Sequence, residues 1–300
     1  MKVLVLLSAL VTTTCALNID LRLSTSPVYG YMTRYGIPEA ERIRRQEDEL
    51  LKSDSKIVGG APATIEDNPW QAGLLVNITG TTGRSACGAC LLSGTKLVTA
   101  AHCWFDGRNQ GFFITVVLGS NFLFYGGERI GTQEVILHPE WSPSAVRNDV
   151  AMITLPQKLI IAFFSFSSDV ISPIALPSGA DLSNSFQGED VRASGFGRIG
   201  DGTPISADQF LSQVDLVVIT NTICSLAFPT NVRSTNICTR GTGGVGPCNG
   251  DSGGPLVARI NTAPVLIGLT SFGSRAGCEN NMPAVYARVT SFINFITSNL

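Results

Sequence analysis

The feature of this sequence that most constrains its fold is a succession of short β-branched runs after Lys56. Residues 113–117 (FITVV) and 265–269 (VLIGL) are two of them, and clusters of Gly, Pro, Asn and Ser separate such runs. Helical periodicity is missing until the end of the chain, where four apolar side chains fall on one helical face: Phe292, Ile293, Phe295 and Ile296. This pattern predicts an all-β sandwich or barrel with one C-terminal helix.

The composition indicates a folded chain with a substantial core. Of its 300 residues, 44% are hydrophobic and only 15% are charged, which is typical of globular proteins. The formal net charge is −2, and no dense patch of Lys and Arg could release counterions from a polyanion. We therefore expect no nucleic-acid partner.

The first residues have the layout of a cleaved signal peptide. Lys2 precedes the apolar run 3–11, and the small residues of 14–16 follow. A membrane anchor needs about 20 apolar residues, and Thr12 ends this run earlier. We expect a signal peptide over residues 1–16, secretion to the extracellular space and no membrane partner.

The cysteines fit an oxidising compartment, in which thiols pair. The chain has 8 cysteines, and Cys15 leaves with the signal peptide. The others form an odd set: Cys87, Cys90, Cys103, Cys224, Cys238, Cys248 and Cys278. At least one thiol must stay unpaired or bond to another molecule, and the residues alone leave the pairing open.

Residues 17–56 differ in composition and charge pattern from the rest of the chain. The stretch 38–52 is dense in charges of both signs, which predicts a solvent-exposed helix.

A glycine-rich turn at residues 248–255 (CNGDSGGP) carries Ser252. Backbone N–H groups in such a turn can converge on an anion without obstruction by side chains, as an oxyanion hole requires. Because a serine hydroxyl is a weak nucleophile, this interpretation needs a general base that a third group holds in place.

Candidates for the base and the third group are few. The chain has 2 histidines, His102 and His138, and His138 precedes a proline that suggests a strand end or turn. His102 is therefore the better candidate for the base. Asp149 leads directly into an apolar run, which could carry it into the interior, where a carboxylate needs a partner.

The segments around His102, Asp149 and Ser252 resemble the motifs of the chymotrypsin-like serine peptidases, in that family's chain order. The resemblance covers residues 57–300 and is closest in character to insect midgut chymotrypsins. It implies two six-stranded antiparallel β-barrels, at about 57–165 and 166–300, with the active site in the cleft between them and a C-terminal α-helix.

The resemblance also implies a role for each residue. Ser252 is the nucleophile, His102 is the general base and then the acid, and Asp149 orients and stabilises the imidazolium. Backbone N–H groups of Gly250 and Ser252 form the oxyanion hole. The implied enzyme is a serine endopeptidase that acts on protein and peptide substrates.

No cofactor is expected for this chemistry. Some relatives have a calcium loop with paired carboxylates, but the corresponding stretch 119–131 offers only Glu128. We therefore predict no metal site.

Residues 56–60 (KIVGG) resemble the activation junction of the family. Cleavage after Lys56 by a trypsin-like protease frees the α-amino group of Ile57, which in the family pairs with the carboxylate that precedes the nucleophile, here Asp251. Residues 17–56 are thus expected to be an activation propeptide. It contains no cysteine and no cysteine-rich regulatory module, which favours a simple digestive zymogen. We expect the protein to be a monomer.

Family spacing implies three disulfide bonds: Cys87 with Cys103, Cys224 with Cys238, and Cys248 with Cys278. Cys90 is then unpaired, and we expect it to be a small buried apolar residue rather than a reactive thiol.

Alignment outward from Ser252 places Gly246 at the base of the specificity pocket, Gly273 on its wall and Ala284 near its floor. None is charged, so a Lys or Arg side chain would be buried there unpaired. Gly273 leaves room for a large ring, which predicts chymotrypsin-like cleavage after Phe, Tyr, Leu or Met. Ala284 stands where deep-pocket relatives more usually have glycine, so elastase-like and collagenolytic enzymes remain alternatives.

Backbone groups of the stretch Ser271, Phe272 and Gly273 are expected to bind an extended substrate strand.

Lysine is rare after Lys56, where only Lys96 and Lys158 occur, while arginine is frequent and keeps its charge at high pH. This favours an alkaline gut lumen. Two further alternatives are an inactive homologue that acts as a binding protein and a cascade protease with one target. The intact candidate triad argues against the first, and the lack of a regulatory prodomain argues against the second.

Overall fold

The computed structural model describes residues 25–52, 64–159, 171–201 and 210–300. The predicted signal peptide and the junction between Lys56 and Ile57 lie outside the described residues. Within these ranges the fold is mostly β, as the short β-branched runs predict. The run 113–117 lies within one strand, and 265–269 lies within another.

Seven antiparallel strands from the first half of the chain form one sheet: β1 (Gln71–Ile78), β2 (Arg84–Leu91), β3 (Lys96–Thr99), β4 (Gly111–Leu118), β5 (Glu128–Thr132), β6 (Val135–Leu137) and β7 (Ala151–Thr154). Their order across the sheet is β5-β4-β1-β2-β3-β7-β6. Only two residues separate β5, which pairs with β4, from β6, which pairs with β7. The continuous stretch from β5 to β6 therefore joins the two ends of the sheet. If β5 and β6 are counted as one strand, the sheet has the six strands that were predicted.

Six strands from the second half form a closed antiparallel barrel: β8 (Asp190–Gly195), β9 (Ser212–Ile219), β10 (Asn236–Thr239), β11 (Pro255–Ile260), β12 (Ala263–Phe272) and β13 (Ala284–Arg288). The order is β10-β13-β12-β11-β8-β9, and pairing of β10 with β9 closes it. This barrel confirms the prediction for the second half.

The helices are α1 (Ile37–Lys52), which continues from a π-helical turn at Met32–Gly36, α2 (Asn221–Ala227), and α3 (Ile293–Ser298), which follows a 3₁₀ turn at Val289–Phe292. The C-terminal helix was predicted and is confirmed, although its regular part is only 6 residues long. None of the helices in the described ranges has the length and apolar character needed to cross a bilayer.

An apolar core lies between the two halves of the molecule. Met152 from the first sheet packs in one cluster with Leu269 from the barrel and with Ile296 from α3. Cys90 belongs to this cluster and is fully buried, which raises the pKa of its thiol. Its burial agrees with the expected small apolar residue, because a neutral thiol inside a packed core is a poor nucleophile.

The prediction that residues 38–52 form a helix is confirmed, but the prediction that this helix is solvent-exposed is wrong. Five of its side chains, spaced to form one helical face, are buried: Glu39, Ala40, Ile43, Gln46 and Glu47. This face rests on β2. The sequence of this face mixes apolar and charged residues, as the sequence of a solvent-exposed helix does. Its carboxylates can be buried only because tertiary contacts supply hydrogen-bond partners for them.

Candidate active site

Strand pairing in the first sheet brings the predicted base and acid together. β3 runs antiparallel to β7, with Thr99 opposite Ala151. His102 lies in the 3₁₀ turn Ala101–Cys103 that follows β3, and Asp149 lies just before β7 begins. Both residues therefore stand at the same end of this strand pair, although 47 positions separate them in the chain.

Asp149 holds the imidazole of His102 through two contacts. Its Oδ2 lies 2.8 Å from Nδ1 of His102, and its Oδ1 accepts the backbone N–H of His102 at 2.9 Å. Oδ2 also accepts a hydrogen bond from Ser271 Oγ at 2.6 Å. These bonds compensate for the burial of the carboxylate, and they favour the tautomer with its proton on Nδ1. Nε2 is then free to accept a proton.

The hydroxyl of Ser271 is a contact that the sequence did not indicate. The motif led us to assign Ser271 only a backbone role in substrate binding. The fold places it in β12, with its side chain directed at Asp149. No local pattern distinguishes a serine that orients a buried aspartate from a serine of an ordinary strand.

Ser252 lies in a tight turn that precedes β11 and is 6% exposed. Gly250 has φ 100° and Gly253 has φ 80°, both in the left-handed region that side chains disfavour. A Cβ atom on Gly253 would also lie 2.2 Å from Thr99 Oγ1. One on Gly250 would lie 2.8 Å from Gly197 Cα. The two glycines therefore permit both the turn and its close approach to its neighbours.

Tyr31 occupies the position where a substrate oxyanion is expected. Its hydroxyl accepts a hydrogen bond from the backbone N–H of Gly250 at 3.3 Å and donates to the carbonyl oxygen of Ala86 at 3.3 Å. Its ring meets the His102 ring edge-on, with centroids 4.7 Å apart. Burial raises the pKa of Tyr31, so the phenol stays neutral. No motif in the sequence indicates this contact.

Nε2 is the second nitrogen of the His102 imidazole, on the side of the ring opposite Asp149. It is buried and has no hydrogen-bond partner among the described residues. The ring of Tyr31 instead packs against the His102 ring, and Tyr31 lines the same cavity as Ser252.

Asp251, the predicted partner of the Ile57 amine, is buried beside the Ser252 turn. Its carboxylate accepts the backbone N–H groups of Gly197 at 2.8 Å and Cys248 at 2.9 Å. Burial raises the pKa of Asp251 to about 6 despite these two bonds. A cavity adjoins this carboxylate on the barrel side.

The predicted pocket residues surround one cleft beside Ser252. All five line it: Gly246, Ser271, Phe272, Gly273 and Ala284. A Cβ atom on Gly273 would meet nothing within 4 Å, so that wall is open. Among the lining residues in the described part of the chain, the one charged side chain is Arg275.

His138, the rejected candidate base, lies away from this cleft. Its ring packs against Phe292 and Phe295, with centroid distances of 5.5 Å and 4.9 Å, and burial lowers its pKa. It therefore anchors the C-terminal helix.

The three disulfide bonds implied by the resemblance are present: Cys87 with Cys103, Cys224 with Cys238, and Cys248 with Cys278. Both groups of potential metal ligands in the described ranges contain one of these cystines, so their sulfur atoms are not thiolates. Neither group therefore fits a metal ion.

Comparisons with known proteins agree with this geometry. The family model described as Trypsin matches residues 57–296. A collagenase from Hypoderma lineatum is 34% identical over 247 residues, covering 82% of this chain and 88% of the relative. Brachyurin from Leptuca pugilator is 35% identical over 246 residues, covering 80% and 96%. Chymotrypsin-C from Bos taurus is 32% identical over 254 residues, covering 82% and 89%.

The solved structure of HL collagenase matches with a TM-score of 0.69 and 33% identity, covering 81% of this chain and 98% of that chain. Because the family model spans most of the chain and these relatives cover at least 80% of it at more than 30% identity, the chain belongs to the trypsin family of chymotrypsin-like serine proteases and is a serine endopeptidase.

Proposed function

We propose that the chain is a secreted protease zymogen that, once cut after Lys56, hydrolyses peptide bonds after large apolar or aromatic residues. The observation that supports this specificity is the cleft beside Ser252, whose described lining includes Gly246 and Ala284 and no acidic side chain. A substrate Lys or Arg would find no carboxylate among the lining residues that the structure describes, and it would meet the cation of Arg275. Both effects favour an apolar side chain.

In the proposed reaction, Ser252 Oγ attacks the substrate carbonyl carbon while His102 Nε2 takes its proton. The N–H groups of Gly250 and Ser252 stabilise the resulting oxyanion. His102 then gives the proton to the leaving amine as the C–N bond breaks. Water, deprotonated by His102, releases the acid product and restores the Ser252 hydroxyl. Asp149 keeps the imidazole in the tautomer that these transfers require.

Activation is proposed to depend on Asp251. This buried carboxylate has two N–H donors but a raised pKa, so a nearby cation would stabilise its charged form. The α-amino group of Ile57, freed by a trypsin-like protease, supplies such a cation. Residues 17–56 act as the propeptide in this scheme.

We further propose a digestive role for a monomer in an alkaline gut lumen. The near absence of lysine after Lys56 supports the alkaline setting. A collagenolytic enzyme is the second candidate, because two of the similar relatives are a collagenase and brachyurin, and Ala284 lines the cleft.

One experiment tests activation and specificity together. We would express the chain from residue 17 with residues 52–55 replaced by four aspartates, so that enteropeptidase cuts after Lys56. After complete cleavage and high dilution of the mixture, rates are compared on peptides with Phe, Leu, Ala or Arg before the scissile bond. We expect Phe or Leu to exceed Arg by at least about tenfold in kcat/KM.

The control is Lys56→Gln in the same chain, which should remain uncut and inactive. Preference for Ala would favour an elastase-like enzyme, and cleavage of native collagen would favour the second candidate. Dominant cleavage after Arg would refute the proposed specificity.

A further inference from the structure

The segment before the activation junction lies in the active-site cleft. We call residues 25–52 the plug segment. Pro27, Val28, Tyr31 and Tyr35 line the same cavity as Gly246 and the other pocket residues.

Tyr31 presents a group that the protease can bind but cannot cut. Its backbone angles are φ −49° and ψ −49°, which are helical, whereas proteases of this fold bind substrates as extended strands. The group that accepts the Gly250 N–H is the phenolic oxygen and not a peptide carbonyl. A phenol has no electrophilic carbonyl carbon, so the group that lies on the Gly250 N–H cannot be cleaved by Ser252.

Residues before Tyr31 cover the approach to the pocket. Val28 is buried in one apolar cluster with Val146 and Phe272. Ser26 Oγ donates to the carbonyl oxygen of Pro143 at 2.5 Å, and the carbonyl oxygen of Ser26 accepts a hydrogen bond from Arg275. These contacts tie the start of the plug segment to both sides of the cleft.

The middle of the plug segment is fastened by two buried carboxylates. The backbone N–H of Met32 donates to Asp106 Oδ2 at 2.9 Å, and Asp106 is itself fully buried. Glu39, 1% exposed, accepts a hydrogen bond from Arg198 Nε at 2.8 Å and pairs with Arg42 of its own helix. Because Arg198 follows β8, this ion pair links α1 to the second barrel.

The end of α1 is held by the loop between β4 and β5. The two carboxylate oxygens of Glu47 accept the backbone N–H groups of Leu123 at 2.6 Å and Phe124 at 2.7 Å. The neighbouring Asp48 accepts a hydrogen bond from Tyr125 Oη. A surface of the protease remote from Ser252 therefore also recognises this helix.

We infer that the plug segment is an inhibitor of the protease's own active site and that it stays bound, without a covalent link, after the chain is cut after Lys56. The inference rests on the proposed activation cleavage. All the contacts described above lie at residues 26–48, upstream of Lys56, so the cut removes none of them. It changes an intramolecular contact into a bimolecular one, whose occupancy depends on concentration.

Dissociation of the plug segment should respond to pH through Glu47. Burial raises the pKa of Glu47 from 4.5 to about 7, so the bound segment holds a proton more tightly than the free segment. Binding is thus favoured most below about pH 4.5, weakens as the pH rises through about 7, and is constant above that. The charged groups around Glu47 are Arg129 on β5, which opposes this shift, and Asp48 on α1, which reinforces it. Arg84 on β2 and Arg44 on α1 lie beside these.

The first test measures whether activity depends on dilution. The enteropeptidase-cleavable chain is cut to completion, as judged by mass spectrometry, and its specific activity is followed as the mixture is diluted. We expect the specific activity of the parent chain to rise at least about tenfold on dilution, because the plug segment dissociates. Tyr31→Ala should instead have high specific activity at every concentration. Tyr29→Ala, a neighbouring tyrosine that remains half-exposed, is the matched control and should behave like the parent chain.

Gel filtration of the cut mixtures gives a readout that does not need activity. The fragment 17–56 should elute with the protease domain in the parent chain and in Tyr29→Ala, and separately in Tyr31→Ala. Equal specific activity at all dilutions together with separate elution in the parent chain would overturn the inference, as would identical behaviour of Tyr31→Ala and the parent. If the fragment elutes with the domain but no variant becomes active, the proposed activation fails while binding of the plug segment stands.

The second test follows the bound fraction by gel filtration at about pH 5.5 and 8.5. Binding in the parent chain should weaken at least about tenfold over this range, since the expected pKa change exceeds one unit. Glu47→Gln keeps one of the two acceptor oxygens and does not titrate, so its binding should be weaker overall but should change much less with pH. An equal pH dependence in both chains would exclude Glu47 as the sensor.

Discussion

Replacing Ser252 by alanine should lower kcat by about 10⁶-fold, the loss that follows removal of the nucleophile from a Ser-His-Asp triad. The residual rate would come from oxyanion stabilisation and substrate binding alone, since Gly250 and the pocket are unchanged. The measurement is steady-state hydrolysis of the preferred peptide after complete cleavage and high dilution. Ser252 is almost fully buried, but the change removes only one hydroxyl, so the free energy of unfolding should change by no more than about 1 kcal/mol.

A matched control is Ser225→Ala on α2, whose hydroxyl bonds only to the carbonyl oxygen of Asn221 within its helix. Its kcat should stay within about twofold of the parent, as is usual for changes away from the site. If Ser252→Ala kept more than about a thousandth of the parent rate, covalent catalysis by this serine would be ruled out.

Replacing Asp149 by asparagine should lower kcat at neutral pH by about 10⁴-fold, the loss known for the aspartate of this family's triad. The Asp149 carboxylate accepts hydrogen bonds from Nδ1 and the backbone N–H of His102 and from Ser271. The NH₂ group of an asparagine would face either the backbone N–H of His102, which is also a donor, or Nδ1 of His102. If it faces Nδ1, it forces the imidazole proton onto Nε2. In the second case His102 could no longer accept the Ser252 proton.

The control here is Asp215→Asn. Asp215 is largely exposed and pairs with Arg192 on the surface of the barrel, so its loss should change kcat less than about twofold. Both variants are measured across pH on the same peptide. An Asp149→Asn enzyme with the parent rate would mean that the contact between Asp149 and His102 serves packing and not catalysis.

The second barrel shows how much the pattern of residues can predict. Runs such as 265–269 are too short for helices, rich in β-branched side chains and bounded by turn formers, so they form strands in almost any compact context. The candidate triad could also be predicted from the sequence, because each of its three residues lies in a short local motif. In the structure these motifs meet where β3 pairs with β7 and where the turn precedes β11.

Helix α1 shows where such reasoning stops. Its existence was predicted from local charge density, but its environment was not. Whether Glu39 and Glu47 face water or protein depends on Arg198 and on the Leu123 and Phe124 amides, which lie 76 to 159 positions further along the chain. A glutamate side chain can be either solvated or paired with a distant group, and the neighbouring sequence does not indicate which of the two occurs.

The sequence by itself therefore determined the β architecture, the C-terminal helix, the candidate catalytic residues and the three cystine pairs that the family resemblance implied. Only the tertiary structure decided that Ser271 supports Asp149, and that Tyr31 lies over Ser252 with its phenol on the Gly250 N–H. The physical reason is that strands and tight turns follow from local backbone preferences and motif spacing. The occupancy of a cleft depends instead on the free energy of contacts between segments that are far apart in the chain.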